Sequence, residues 1–128
     1  MYATIFCAEN IHTDDKGTVI STGLNNVFAL PFIPTLFSFS MAAVIYGVDR
    51  TKKHKLNVEL TDPKNNKSIL VDLDLNEDSK AMDFSSTTLT TTFNNLNIFN
   101  DGEHDLTVLI DGTSVGSTKL FFTQASRN

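Results

Sequence analysis

The residues of this chain best placed to do chemistry are acidic. In Asp72-Leu73-Asp74-Leu75-Asn76-Glu77-Asp78, with Asp83 further on, the side chains of Asp72, Asp74, Asn76 and Asp78 fall at positions one, three, five and seven of an EF-hand-type loop, and Asp83 falls at twelve. Calcium takes hard oxygen ligands of this kind, so Asp72, Asp74, Asn76, Asp78 and Asp83 are the candidate metal ligands. Asp74, Asn76 and Asp78 would be the nucleus of a weak site. The pattern departs from such a loop at Glu77, where the sharp turn wants Gly, and Leu73 and Leu75 alternate as in a strand. The competing reading is a strand with Asp72 and Asp74 on its solvent side, running into an acidic loop.

The remaining reactive residue types form no constellation. His12, His54 and His104 lie in separate polar segments, without a second His, Cys or Glu at metal-binding spacing, and read as surface histidines. The single cysteine, Cys7, sits in the apolar run Thr4-Ile5-Phe6-Cys7-Ala8 and reads as a buried free thiol. There is no Gly-x-Ser-x-Gly elbow, no Gly-rich phosphate loop and no pair of carboxylates in an apolar setting. Neither enzyme activity nor a cofactor is expected.

The net charge of −5 argues against a nucleic-acid binder. The charge is uneven along the chain. Arg50 to Lys67 carries six Lys/Arg against Glu59 and Asp62, whereas Val71 to Asp105 carries eight acids against Lys80. Two solvated faces that attract each other, or that aid solubility, account for this distribution. A nucleic-acid face around Arg50 to Lys55 would want interleaved aromatics, and Tyr46 alone is near. No run of about 20 apolar residues is present to span a membrane, and the N-terminal residues do not read as a secretory signal. A cytoplasmic, reducing setting is expected.

Period-two alternation dominates the chain and sets the elements that would position these groups. Strands are expected over Tyr2–Asn10 and Thr18–Leu24 as a hairpin, then over Leu36–Gly47, with Phe37, Phe39, Met41, Ala43 and Ile45 on one face. Lys55–Thr61 and Ser68–Leu75 alternate around the turn Asp62-Pro63-Lys64-Asn65-Asn66-Lys67. Asn76 to Ser86 reads as an acidic loop with a helical turn near Asp78–Met82. Thr87–Phe93 reads as a Thr-rich strand, and Asn94–Gly102 as a loop with apolar plugs at Leu96, Ile98 and Phe99. His104–Asp111 and Ser114–Thr123 close on Asp111-Gly112, a strong hairpin signal. About eight short strands and no long helix imply one all-β domain over residues 1–128. Its expected architecture is a two-sheet antiparallel β-sandwich, immunoglobulin-like or a related Greek key, with a closed barrel as the alternative.

The most apolar stretch, Val27 to Phe37, contains Pro31 and Pro34, which remove backbone donors and force extended neighbours. It reads as a greasy connection that either bridges one end of the core or meets a partner. Phe28 and Phe32 are expected to be mostly buried, with Leu30 or Ile33 the residue left exposed if an interface exists. Leu30, Phe32, Ile33 and Phe121, the last flanked by inward Leu120 and Phe122, are the candidate partner-interface residues.

The opening strand Ala3-Thr4-Ile5-Phe6-Cys7-Ala8-Glu9, then Lys16-Gly17-Thr18-Val19, then Phe32-Ile33-Pro34 before a long strand, carry a resemblance with the later Leu56-Asn57-Val58-Glu59-Leu60-Thr61-Asp62-Pro63 and Gly102 to Gly112. Over nearly the full chain the pattern resembles a family of small bacterial proteins of uncharacterised function, a domain of unknown function. The resemblance implies a single immunoglobulin-like sandwich without a recognised catalytic motif, and supplies no functional residues to transfer. The functional expectation is a non-enzymatic protein-binding or assembly module, with a protein partner or a homodimer. The alternative is a small calcium- or ligand-binding β-sandwich that uses the acidic loop Asp72–Asp83.

Overall fold

The computed structural model describes residues 1–77 and 86–125. These form nine strands: β1 (Tyr2–Thr13), β2 (Val19–Leu24), β3 (Val27–Leu30), β4 (Thr35–Tyr46), β5 (His54–Thr61), β6 (Lys67–Leu75), β7 (Ser86–Ile98), β8 (Gly102–Ile110) and β9 (Thr113–Gln124). One sheet runs β2-β1-β4-β7, and the other β3-β9-β8-β5-β6. The expected helical turn near Asp78–Met82 lies outside the described residues.

The first sheet is antiparallel throughout. The second is mixed, because β3 pairs with β9 in parallel, Val27 opposite Phe121 and Leu30 opposite Gln124. That strand is the main departure from the expected architecture. The prolines stop it but do not prevent it. Val27 to Leu30 precede Pro31 and offer their backbone groups freely, and Pro31 then ends the pairing. The connection therefore does more than bridge the sheets once: β2 and β4 share the first sheet, and the chain visits the second between them.

The core follows the alternation. Cys7, Phe39, Met41, Ala43 and Ile45 of the first sheet meet Leu56, Val58, Leu106, Val108, Leu120 and Phe122 of the second in one buried cluster. Phenylalanine rings cross-link the layers: Phe28 lies 5.0 Å from Phe37, 5.7 Å from Phe39 and 5.8 Å from Phe122, centroid to centroid. Such ring pairs add to the area they bury. Phe28 is buried as expected. Phe32 is not; it is 52% exposed, whereas Leu30 is only 2% exposed. The parallel strand explains the exchange, since in β3 the residues Phe28 and Leu30 share the inward face.

Two local features set the ends of the sandwich. At Asp111-Gly112 both φ angles are positive, +53° and +81°, the geometry that a two-residue hairpin demands. Strand β7 runs on to Ile98, through Asn94-Asn95, where the composition predicts a loop. Between Phe37 and Phe39 its pairing with β4 shifts register, Asn95 takes a φ of +54°, and its N–H donates to Ser38 Oγ at 2.9 Å. The Asn pair is thus a β-bulge within a strand and not the end of one.

Candidate functional site

The acidic string is a strand with paired charges. Asp72 and Asp74 lie on β6 opposite Asn57 and Lys55 of β5. Lys55 Nζ reaches Asp72 at 3.1 Å, and Lys53 Nζ reaches Asp74 at 3.7 Å. The carboxylate of Asp72 raises the Lys55 pKa, chiefly through their hydrogen bond. The basic and acidic stretches thereby neutralise each other across one strand pair. Asn76 offers its carbonyl oxygen to Arg50 Nη2 at 3.1 Å. Asp78 and Asp83 lie outside the described residues. Among the described residues, no group of three or more His, Cys, Asp or Glu side chains gathers to hold a metal.

The candidate interface residues separate. Leu30 lies in the core beside Phe28, and Ile33 is half-buried against it. Phe32 is exposed in the turn after β3. Phe121 is 38% exposed on β9, beside the exposed Val27 of β3, while its neighbours Leu120 and Phe122 point into the core as expected.

A more continuous apolar surface lies elsewhere, on the outer face of the first sheet. Phe6 and Leu24 are exposed there, with Val19, over a small second cluster of Ala8, Ile11 and Ala42. Together with Val44 and Thr88, Phe6, Ile11, Val19 and Leu24 line a concavity of about 300 Å³. Among the described residues, no charged side chain lines it. The threonine row of β7 borders this face, with Thr88 opposite Val44, Thr90 opposite Ala42 and Thr92 opposite Ser40. The hydroxyls of Ser40 and Thr92 hydrogen-bond at 2.9 Å, which satisfies a fully buried serine. The signal for this face was present in β1, whose apolar residues occupy both sides; that reads as a strand covered twice, and among the described residues no element covers its outer side.

Of the three histidines, His104 is buried and His54 half-buried. His104 is 2% exposed, packs edge-on against Phe122 at 4.9 Å and has Nδ1 3.1 Å from the Gly102 carbonyl oxygen. His54 places Nδ1 2.6 Å from Asp111 Oδ2 and Nε2 2.6 Å from the Asp49 carbonyl oxygen. The hydrogen bond to Asp111 and then that to Asp49 raise the His54 pKa, and the same bond to His54 lowers that of Asp111. His54 and Asp111 are far apart in sequence, so no spacing rule could have joined them. Cys7 is the buried free thiol expected, and burial pushes its pKa up to about 12.

A cleft of about 220 Å³ with a mixed polar and apolar lining opens at the end of the sandwich that holds the β5–β6 turn and the β7–β8 connection. Its walls include Asn66, Ser68, Asn97, Asn100, the exposed Phe99 and the buried His104. Asp62 anchors it, accepting from the N–H groups of Lys64 and Asn66 at 2.9 and 2.8 Å and from the side-chain amides of Asn66 and Asn100 at 3.1 and 3.0 Å. These donors lower the Asp62 pKa, the Asn66 N–H foremost.

Nine strands in two facing sheets, with apolar inner faces and no helix among the described residues, define an all-β, sandwich-like protein. Residues 3–123 match the model of a family of unknown function (DUF6941), and the chain belongs to that family. A comparison with curated proteins finds no match. Among solved structures, the fold is similar to part of the alkylpurine DNA glycosylase AlkC of Pseudomonas fluorescens bound to DNA containing an abasic site analogue, with a TM-score of 0.52 and 9% identity. That likeness covers 93% of this chain and 30% of the glycosylase. The β-glucosidase of Listeria innocua in complex with glucose is similar at a TM-score of 0.51 and 13% identity, over 95% of this chain and 16% of that one. At these identities the likeness is one of fold alone. No helix of the described residues is long and apolar enough to cross a membrane.

Proposed function

We propose that the chain is a non-enzymatic assembly module that pairs through the outer face of its β2-β1-β4-β7 sheet. The observation that carries this reading is the uncharged apolar concavity around Phe6, Ile11, Val19 and Leu24. Exposed apolar surface on a sheet of this kind is a common mark of a protein contact. The occupant it fits first is a second copy of the chain. With no charge among the described residues that line the concavity, two copies brought face to face about a two-fold axis oppose apolar patch to apolar patch. Sheets also pack on sheets at about 10 Å with interdigitated side chains, a geometry this face can adopt. A reducing, cytoplasmic setting agrees with a single buried thiol. An overall charge of −5 does not favour nucleic acid as the partner.

Sedimentation equilibrium tests the reading. A dimer is expected for the unmodified chain, and a folded monomer for Phe6→Glu, because Phe6 is 43% exposed and lies outside the main core cluster. Phe121→Glu, on the other sheet, should leave the dimer intact. A monomeric unmodified chain at high concentration, or a dimer indifferent to Phe6→Glu, would overturn it.

A further inference from the structure

We propose that the cleft anchored by Asp62 is a binding site for a small neutral polyhydroxylated ligand of the monosaccharide class. It lies apart from the apolar sheet face, and neither proposal depends on the other. The inference starts from what the cleft leaves unpaired. The Asp62 carboxylate is occupied by four N–H donors, two of them from the Asn66 and Asn100 carboxamides. Each carboxamide spends one N–H on Asp62 and keeps a carbonyl oxygen and a second N–H. Asn97 and the Ser68 hydroxyl add groups that both donate and accept. His104, almost wholly buried in the cleft wall, donates from Nδ1 to the Gly102 carbonyl oxygen.

The chemistry of these groups selects the ligand by elimination. An anion would meet Asp62, and among the described residues neither Lys nor Arg lines the cleft. A bare cation would find the Asp62 oxygens already engaged. A wholly apolar ligand would strip water from three carboxamides and a hydroxyl without replacing its hydrogen bonds. A sugar ring avoids all three penalties. Its hydroxyls donate and accept, matching the mixed wall, and its C–H face suits the face of an exposed aromatic. Phe99, 66% exposed at the rim, supplies that face. The volume of about 220 Å³ is below that of drug-sized pockets and suits one ring. Because Asp62 holds two of the carboxamides in place, little side-chain entropy is left to lose on binding.

The test is a ¹⁵N–¹H titration with D-glucose, D-galactose, D-mannose and N-acetyl-D-glucosamine, each to about 50 mM, a range that captures weak single-site binding. At least one sugar should shift the backbone signals of Asn97, Phe99 and Asn100 and the side-chain amides of Asn66 and Asn100, while Phe6 and Leu24 stay still. Phe99→Ala, whose dispersed spectrum checks its folding, should weaken that sugar's binding about tenfold. Absence of any shift, shifts confined to other surfaces, an unchanged affinity in Phe99→Ala, or stronger shifts of the same signals by inorganic phosphate would each overturn the proposal.

Discussion

His54 is the residue whose environment makes the firmest demand. Both ring nitrogens face acceptors, a carboxylate oxygen and a backbone carbonyl, each at 2.6 Å. A neutral imidazole has one N–H, so only the imidazolium satisfies both. Its pKa is raised above the ordinary 6.5, chiefly by Asp111 and then by the Asp49 carbonyl. The stabilisation is therefore fully present below pH 6.5 and fades as the pH rises through the raised folded value. Asp111 runs the other way: its lowered pKa gives stability that is present above 3.8 and lost as the pH falls through the folded value. Urea midpoints should be higher at pH 5.5 than at pH 8.5, and His54→Gln should flatten that difference. An equal slope in the variant would assign the pH dependence to other groups. Gly116 makes a steric demand instead. A Cβ there would sit 2.6 Å from the carbonyl oxygen of Ala3, backbone against side chain, with nothing flexible to give way. Gly116→Ala should cost about 1–3 kcal/mol in urea unfolding, the range of an overpacked site. A neutral result would mean that β1 and β9 separate easily at that point.

Among the elements, the apolar segment after β2 shows what alternation and punctuation can and cannot convey. Its two prolines signalled a break, and Pro31 does end β3. They also concealed a four-residue strand, because its parallel partner Phe121–Gln124 lies at the far end of the described chain and leaves no local trace. The face assignment of Phe28 followed from its apolarity; those of Leu30 and Phe32 depended on that partner and came out exchanged. The two rings should accordingly differ in energy. Phe28→Ala leaves a hole between Phe37, Phe39 and Phe122 and should cost about 3–5 kcal/mol. Phe32→Ala should stay within about 0.5 kcal/mol. Paired thermal melts of the two variants check this, and equal losses would place Phe32 in the core after all. Strand β7 gives the same lesson with a different signal: Asn94-Asn95 has the composition of a loop, but its neighbours on β4 hold it as a bulge. The hairpins at Asp62-Pro63 and Asp111-Gly112 were legible because their chemistry is local. The candidate site was legible only in part. Asp62 and Asn66 share one turn, yet Asn97 on β7, Asn100 in the β7–β8 connection and His104 on β8 reach the cleft through the packing of the two sheets.

At the scale of the whole molecule, the uneven charge resolves into pairing between neighbours. Lys53 and Lys55 meet Asp74 and Asp72 across β5 and β6, so the basic and acidic stretches do not form two opposed faces there. The single thiol reports on the integrity of the whole. Cys7 is fully buried between the sheets, with its pKa pushed up to about 12, so almost none of it is thiolate at pH 8. Labelling by a thiol-specific reagent should be negligible in the folded protein and rise with urea along the unfolding curve. Rapid stoichiometric labelling in buffer would show that the layers part locally near β1.

The parallel contact between β3 and β9 also governs when the protein can be finished as it is made. As a nascent chain leaves the ribosome, β1, β2 and β4 can begin to pair early, since their partners follow one another closely. Strand β3 emerges among them but must wait, its backbone groups unpaired and Phe28 without Phe122, until residues 121–124 are clear of the exit tunnel. A stalled or truncated product lacking those residues would carry an open strand edge beside exposed phenylalanine rings, the combination on which chaperones and proteases act.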